Sequence, residues 1–220
     1  LKIKTDDIDV AVEGNALIIG KAAASKLKGT YIELDRDRGI CRVVVAGEKG
    51  FQVDFVSANE GIKEDLARRD FTVDSMAIDI ESIRTNEGKV SFATSNLIDP
   101  LNGRRDLHLG KLRAVSSSSL ADDPVRLMRA VRLSSQYGFG LEDRTYGQIK
   151  HIAPQLKRIA PERIRDEFLK TLSLPGASES IRLMDKLGLL EQVIPEINQS
   201  RGIVQPKEHY WTVFNHLIEC

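Results

Sequence analysis

The apolar residues of this chain follow a two-residue period at first and a helical one later, and that single change restricts its architecture more than any other feature. Asp7-Ile8-Asp9-Val10-Ala11-Val12 alternates, as expected of a strand with one apolar and one mixed face. Residues 15–28 predict a helix with Leu17, Ile18, Ala22 and Leu27 on its apolar side and Gly29 as its stop. Short strands are expected at 31–34, 40–45 and 51–56, separated by charged or glycine-containing turns. Beyond Ser116 the strand signal vanishes, and the stretches 122–138, 142–151, 161–173 and 177–188 carry a helical period. The fold class is therefore α+β: a small unit with a mixed sheet and flanking helices, followed by an all-helical body. Ser116-Ser117-Ser118-Ser119 marks the boundary, as a hinge or as the lead-in to a helix. No internal repeat is visible.

Composition removes several alternatives. With 41% hydrophobic and 29% charged residues the chain is an ordinary globular protein, not a disordered one. No apolar run approaches the ~20 residues that span a bilayer, and Leu1-Lys2-Ile3-Lys4-Thr5 lacks the core of a signal peptide, so no membrane partner and a cytoplasmic location are expected. Cys41 and Cys220 have no metal-ligand spacing and give no disulfide framework. The zero net charge conceals an asymmetry: residues 1–100 carry 14 basic and 18 acidic side chains, residues 101–170 carry 14 and 8, and residues 171–220 carry 4 and 6. An acidic segment beside a basic one suits metal ions on the first and a polyanion on the second, or else simply solvated helix faces.

Asp7 and Asp9, two apart on one strand, project from the same face and repel each other unless a cation intervenes. Mg2+ takes hard oxygen ligands and completes its shell with water and phosphate, which is what phosphoryl transfer requires. Asp54 supplies a third carboxylate if its strand pairs with that of Asp7 and Asp9. An Asp-x-Asp on its own reads more readily as surface charge than as a metal site.

A series of further motifs follows in order. Leu66-Ala67-Arg68-Arg69-Asp70-Phe71-Thr72-Val73-Asp74-Ser75-Met76-Ala77 resembles the arginine-rich motif of class II tRNA nucleotidyltransferases and bacterial poly(A) polymerases, members of the polymerase beta superfamily. Leu97-Ile98-Asp99-Pro100-Leu101-Asn102-Gly103-Arg104-Arg105-Asp106-Leu107 resembles the family's segment between head and neck. Asp122-Asp123-Pro124-Val125-Arg126-Leu127-Met128-Arg129-Ala130-Val131-Arg132 resembles its nucleotide-selecting motif, and Glu162-Arg163-Ile164-Arg165-Asp166-Glu167 its neck motif. The resemblance implies a nucleotidyltransferase head at 1–115, a helical neck and body at 116–204 that binds RNA and the nucleotide base, and at 205–220 the start of an HD-type domain with His216 as its first histidine. It implies that Asp7 and Asp9, with Asp54, are catalytic, the first two holding Mg2+ that activates the RNA 3′-hydroxyl and stabilises departing pyrophosphate. Arg68, Arg69 and Asp70 would meet the ribose and phosphates of the incoming nucleotide, and Asp123 and Arg126 would read the base edge of ATP or CTP, with Arg129 and Arg132 on the same helical ridge. The partner implied is the tRNA 3′ end; oligomeric state is left open.

Each motif also has a structural reading. Asp123-Pro124 is a good helix start, Asp as cap and Pro at the first helical position, and both roles are compatible. Glu162, Arg163 and Glu167 read as side chains that fix the start of a neck helix. The family's phosphate loop, Gly-Gly-x-Val-Arg-Asp, would precede Leu1, and the chain is expected to be part of a longer one, since it begins with Leu and stops within what reads as an opening helix. Asp122 stands where the family usually has Glu, and Asp74-Ser75 where it commonly has Asn-Ala. The function expected is addition of C, A or CCA to tRNA, with a poly(A) polymerase or an inactive RNA-binding relative as alternatives.

Overall fold

The computed structural model describes residues 7–48, 50–86, 89–205 and 211–219. The chain divides into two compact units between Asp65 and Leu66. In the first, β1 (Asp7–Val12), α1 (Ala16–Leu27), β2 (Thr30–Asp35), β3 (Ile40–Val45) and β4 (Phe51–Ser57) form a sheet ordered β1-β4-β3-β2. β1 runs parallel to β4 and the other neighbours are antiparallel, so the sheet is mixed. Val43, Val53, Phe55 and Cys41 form its covered face, packed against Ala16 and Ala24 of α1. Of the expected apolar side of α1, Leu17 packs against the sheet core, but Ile18 is 66% exposed and Leu27 43%, and the buried positions are Ala16, Gly20 and Ala24. Small residues win because the helix lies close to the sheet; a Cβ on Gly20 would sit 2.3 Å from Cys41 Sγ. Asn15 caps the helix through its side chain, and Lys28, in the left-handed conformation, ends it one residue before Gly29.

The second unit begins within α2 (Ile62–Ala67) and continues through a 3-10 turn at Thr72–Asp74, the short strands β5 (Ala77–Ile78), β6 (Arg84–Asn86), β7 (Lys89–Ser91) and β8 (Leu97–Ile98), then α3 (Gly103–His108) and β9 (Lys111–Leu112). Helices follow: α4 (Ser119–Asp122), α5 (Val125–Tyr137), then after β10 (Gly140–Leu141) α6 (Asp143–Ile152), α7 (Pro161–Leu172), α8 (Ala177–Lys186), α9 (Leu190–Val193) and α10 (Val213–Glu219). Phe71 and Leu112 are fully buried in the same core as Leu127, Met128, Val131, Leu156 and Met184 of the helices. Thr72 N–H donates to the Arg113 carbonyl (2.9 Å) and Val115 N–H to that of Asp70 (3.2 Å). Residues 66–115 thus pack with the helical body, although the sequence groups them with the strands. The serine run is a lead-in: Ser116 Oγ accepts from Ser119 N–H at 3.0 Å, at the start of α4. No helix among the described residues is long and apolar enough to cross a membrane. Cys41 is buried and unpaired, and Cys220 lies outside the described residues.

Candidate active site

In the sheet, Asp9 stands opposite Asp54 and Asp7 opposite Gln52. Side chains at paired positions share a face, so Asp7, Asp9 and Asp54 belong to the face opposite the α1-packed residues. Asp54 is not an open ligand: Arg42 Nε and Nη2 donate to its two oxygens at 2.7 Å each. Gln52 Nε2 donates to Asp7 Oδ1. Among the described residues no three acidic, histidine or cysteine side chains converge as a ready metal cage. The donors present still fit Mg2+ of the kind that takes one or two carboxylates and draws its other ligands from water and phosphate. Arg42 was not singled out from the sequence; its place beside Asp54 depends on strand register, which alternation alone leaves undetermined.

In the second unit the arginine-rich segment and α5 are latched together. Asp70, 8% exposed, receives Arg126 Nε at 2.8 Å and Arg129 Nη1 at 3.0 Å. Arg126 also donates from Nη1 to the Ser119 carbonyl (3.0 Å) and from Nη2 to the Arg68 carbonyl (3.3 Å). Asp70, Arg126 and Arg129 therefore come together. Asp123 departs from the simple cap: α5 begins at Val125, the bond from Val125 N–H to Asp123 Oδ1 is long at 3.4 Å, and both carboxylate oxygens accept from Arg163 of α7, at 3.2 and 2.7 Å. Arg132 pairs with Glu167 of α7 at 2.6 Å and donates to Gln136, so it ties two helices together where the resemblance gives it to the nucleotide. Arg163 and Glu167 are structural here, but they join α7 to α5 and its lead-in rather than fixing the start of α7.

Beneath this site lies a brace. Asp106, 3% exposed, accepts from Thr72 Oγ1 (2.7 Å) and from Arg113 Nε and Nη2 (2.9 and 3.3 Å). Burial opposes its ionisation, but the bonds from Arg113 and Thr72 prevail and hold the carboxyl below its usual range. Gly103 opens α3 against the same turn, where an added Cβ would come within 1.9 Å of the Thr72 carbonyl oxygen. Asp74 accepts from Phe71 N–H at 3.0 Å, and burial, with the Asp70 charge nearby, pushes its carboxyl up to about 6. The sequence offered the motif for Asp74 and Asp106 but not their burial.

The chain is similar to known proteins over most of its length. The family described as "Poly A polymerase head domain" matches residues 1–113, and "Probable RNA and SrmB- binding site of polymerase A" matches residues 138–200. The chain is 37% identical over 205 residues to an A-adding tRNA nucleotidyltransferase of Deinococcus radiodurans, covering 91% of this chain and 44% of the relative. It is 36% identical over 186 residues to a CC-adding tRNA nucleotidyltransferase of Geobacter sulfurreducens, covering 84% and 40%. Among solved structures it resembles the Thermotoga maritima CCA-adding enzyme complexed with tRNA, with a TM-score of 0.73 and 31% identity over 93% of this chain and 46% of that one. The chain spans less than half the length of these relatives. With the head-domain match running over more than half of its residues, the chain belongs to the poly A polymerase head-domain family, that of the class II tRNA nucleotidyltransferases.

Proposed function

We propose that the chain is the catalytic part of a template-independent RNA nucleotidyltransferase that adds C, A or both to the 3′ end of tRNA and releases pyrophosphate. The observation that carries this reading is the Asp7, Asp9 and Asp54 face of a mixed sheet, found in one chain with an arginine-rich segment latched to α5. Mg2+ bound by Asp7 and Asp9 would supply the Lewis acidity for attack of the 3′-hydroxyl on the α-phosphorus. Arg68 and Arg69 would meet triphosphate and ribose, Asp70 holding Arg126 and Arg129 in position. Asp123 offers acceptors and Arg126 donors, a pairing that matches the exocyclic amine and adjacent ring nitrogen shared by adenine and cytosine. Their present partners leave capacity for this, since a carboxylate oxygen accepts more than one hydrogen bond and the guanidinium has N–H groups to spare. We divide the chain into a head at 1–115, a neck and body at 116–204 that carries the RNA, and from 205 the start of an HD-type domain, in a cytoplasmic enzyme. The relatives named A-adding and CC-adding and the solved complex with tRNA support this substrate class.

The test supplies the protein with tRNAs ending before CCA, after C and after CC, each with one labelled nucleotide. Incorporation of C, of A or of both in order supports the reading. Long A tracts on unrelated RNA would make it a poly(A) polymerase, and no incorporation by a protein carrying its phosphate loop would overturn it.

A further inference from the structure

Arg42 of β3 stands in register with Asp54 of β4, and Asp54 with Asp9 of β1, so three side chains lie in a row across neighbouring strands. The guanidinium grips Asp54 with both arms, each at 2.7 Å. Its own proton is held above the usual range by the bond to Asp54, against partial burial, and then by the charges of Asp54, Asp7 and Asp9. Arg42, Asp54 and Asp9 thus form one cross-strand row, with Asp7 on the same face. We propose that Arg42 is a resident counter-cation of the carboxylate face, occupying Asp54 and lowering the affinity of Asp7 and Asp9 for a divalent cation until nucleotide phosphates bring further oxygen ligands. This rests on the metal-binding reading above.

Two effects act in the same direction. A fixed positive charge two strands from Asp9, about 10 Å at the usual strand spacing, still repels a dication held there. The bidentate fork also withholds the third carboxylate that would complete a cage. A metal that arrives with a triphosphate brings its own ligands and negative charge, so Arg42 hinders it less than the bare ion. The row thus favours entry of metal and nucleotide together.

The experiment is a Mn2+ titration of the 220-residue chain without nucleotide, followed by electron paramagnetic resonance, for the unchanged protein, Arg42→Gln, Arg42→Lys and Asp9→Asn. Arg42→Gln is expected to bind Mn2+ about tenfold more tightly, Arg42→Lys, which keeps the charge, to stay near the unchanged protein, and Asp9→Asn to lose the site. A folded Arg42→Gln protein that binds no more tightly, while Asp9→Asn still loses binding, overturns the role of Arg42 and leaves the metal site standing. Absence of Mn2+ binding in every variant overturns both. Should Arg42→Gln fail to fold, Asp54→Asn decides: it leaves the Arg42 charge uncompensated, so weaker Mn2+ binding is expected and unchanged binding overturns the proposal.

Discussion

Asp123 and Arg163, forty positions apart, share two hydrogen bonds that fasten the lead-in of α5 to the first turn of α7. Arg163 is half exposed, so the pair costs little to hold and contributes about 1 kcal/mol or less to stability. Its use is to fix the direction of a carboxylate. Asp123→Ala should lower discrimination of ATP and CTP against UTP and GTP by ~1–3 kcal/mol, since a wrong base then leaves fewer groups unpaired. Arg163→Met should lose part of that selectivity with Asp123 intact. Incorporation ratios and urea midpoints of both variants check this; a destabilised Asp123→Ala protein with full selectivity would make the residue a cap alone.

Asp9→Asn and Asp7→Asn should slow nucleotide addition about a hundredfold or more, because several kcal/mol of metal stabilisation are lost. RNA affinity should hardly change, since neither side chain is proposed to contact phosphate. Turnover near that of the unchanged protein in Mg2+ would remove both residues from the site.

Asp74 gives a pH signature of definite sign. Its folded carboxyl titrates at about 6, above its ordinary value of 3.8, so the folded state binds the proton more tightly than the unfolded one. The stability it contributes is present below the unfolded value and is lost as pH rises through 6. Asp74→Asn keeps an acceptor for Phe71 N–H and removes the charge. The variant should therefore be more stable than the unchanged protein at pH 7.5 by ~1–3 kcal/mol, a margin that shrinks to nothing toward pH 4. Denaturant melts of both proteins at matched pH isolate this difference from other carboxylates.

Asp106 has the opposite sign. Its carboxyl is held low, so the stability it contributes exists above the unfolded value and disappears as pH falls through the folded one. Asp106→Ala leaves Arg113 with Glu142 as its remaining acid and removes the acceptor of the buried Thr72 hydroxyl, a loss of ~1–3 kcal/mol. A thermal midpoint unchanged by the substitution would refute the brace.

If RNA lies across the basic stretch 104–170, its affinity should fall at least about tenfold between low and physiological salt through counterion release. Filter binding of a tRNA acceptor stem at several salt concentrations measures the slope, and a flat response would mark those charges as solvated surface.

The long helices and the strands were legible because their periods persist for many residues: 161–173 was expected and Pro161–Leu172 is found. The packing face of α1 was misread because Ile18 and Leu27 outweigh Ala16 and Ala24 on any hydrophobic scale, whereas closeness to the sheet selects the small residues. The segment 66–115 was harder still. Its strands are two or three residues long, and bonds such as Thr72 to Arg113 join positions that no local pattern links. For the site, motifs supplied which residues matter but not their partners: nothing in the spacing pairs Asp70 with Arg126, Arg42 with Asp54, or Arg132 with Glu167.

The two ion pairs between α5 and α7 have a mechanical meaning. Asp123 precedes α5 and Arg132 lies nine positions on, about 14 Å along a helix axis. Rods joined by one pin swivel; rods pinned at two separated points cannot. The opening turn of α5 is thus tied to α7 on both sides of the stretch that carries Arg126 and Arg129.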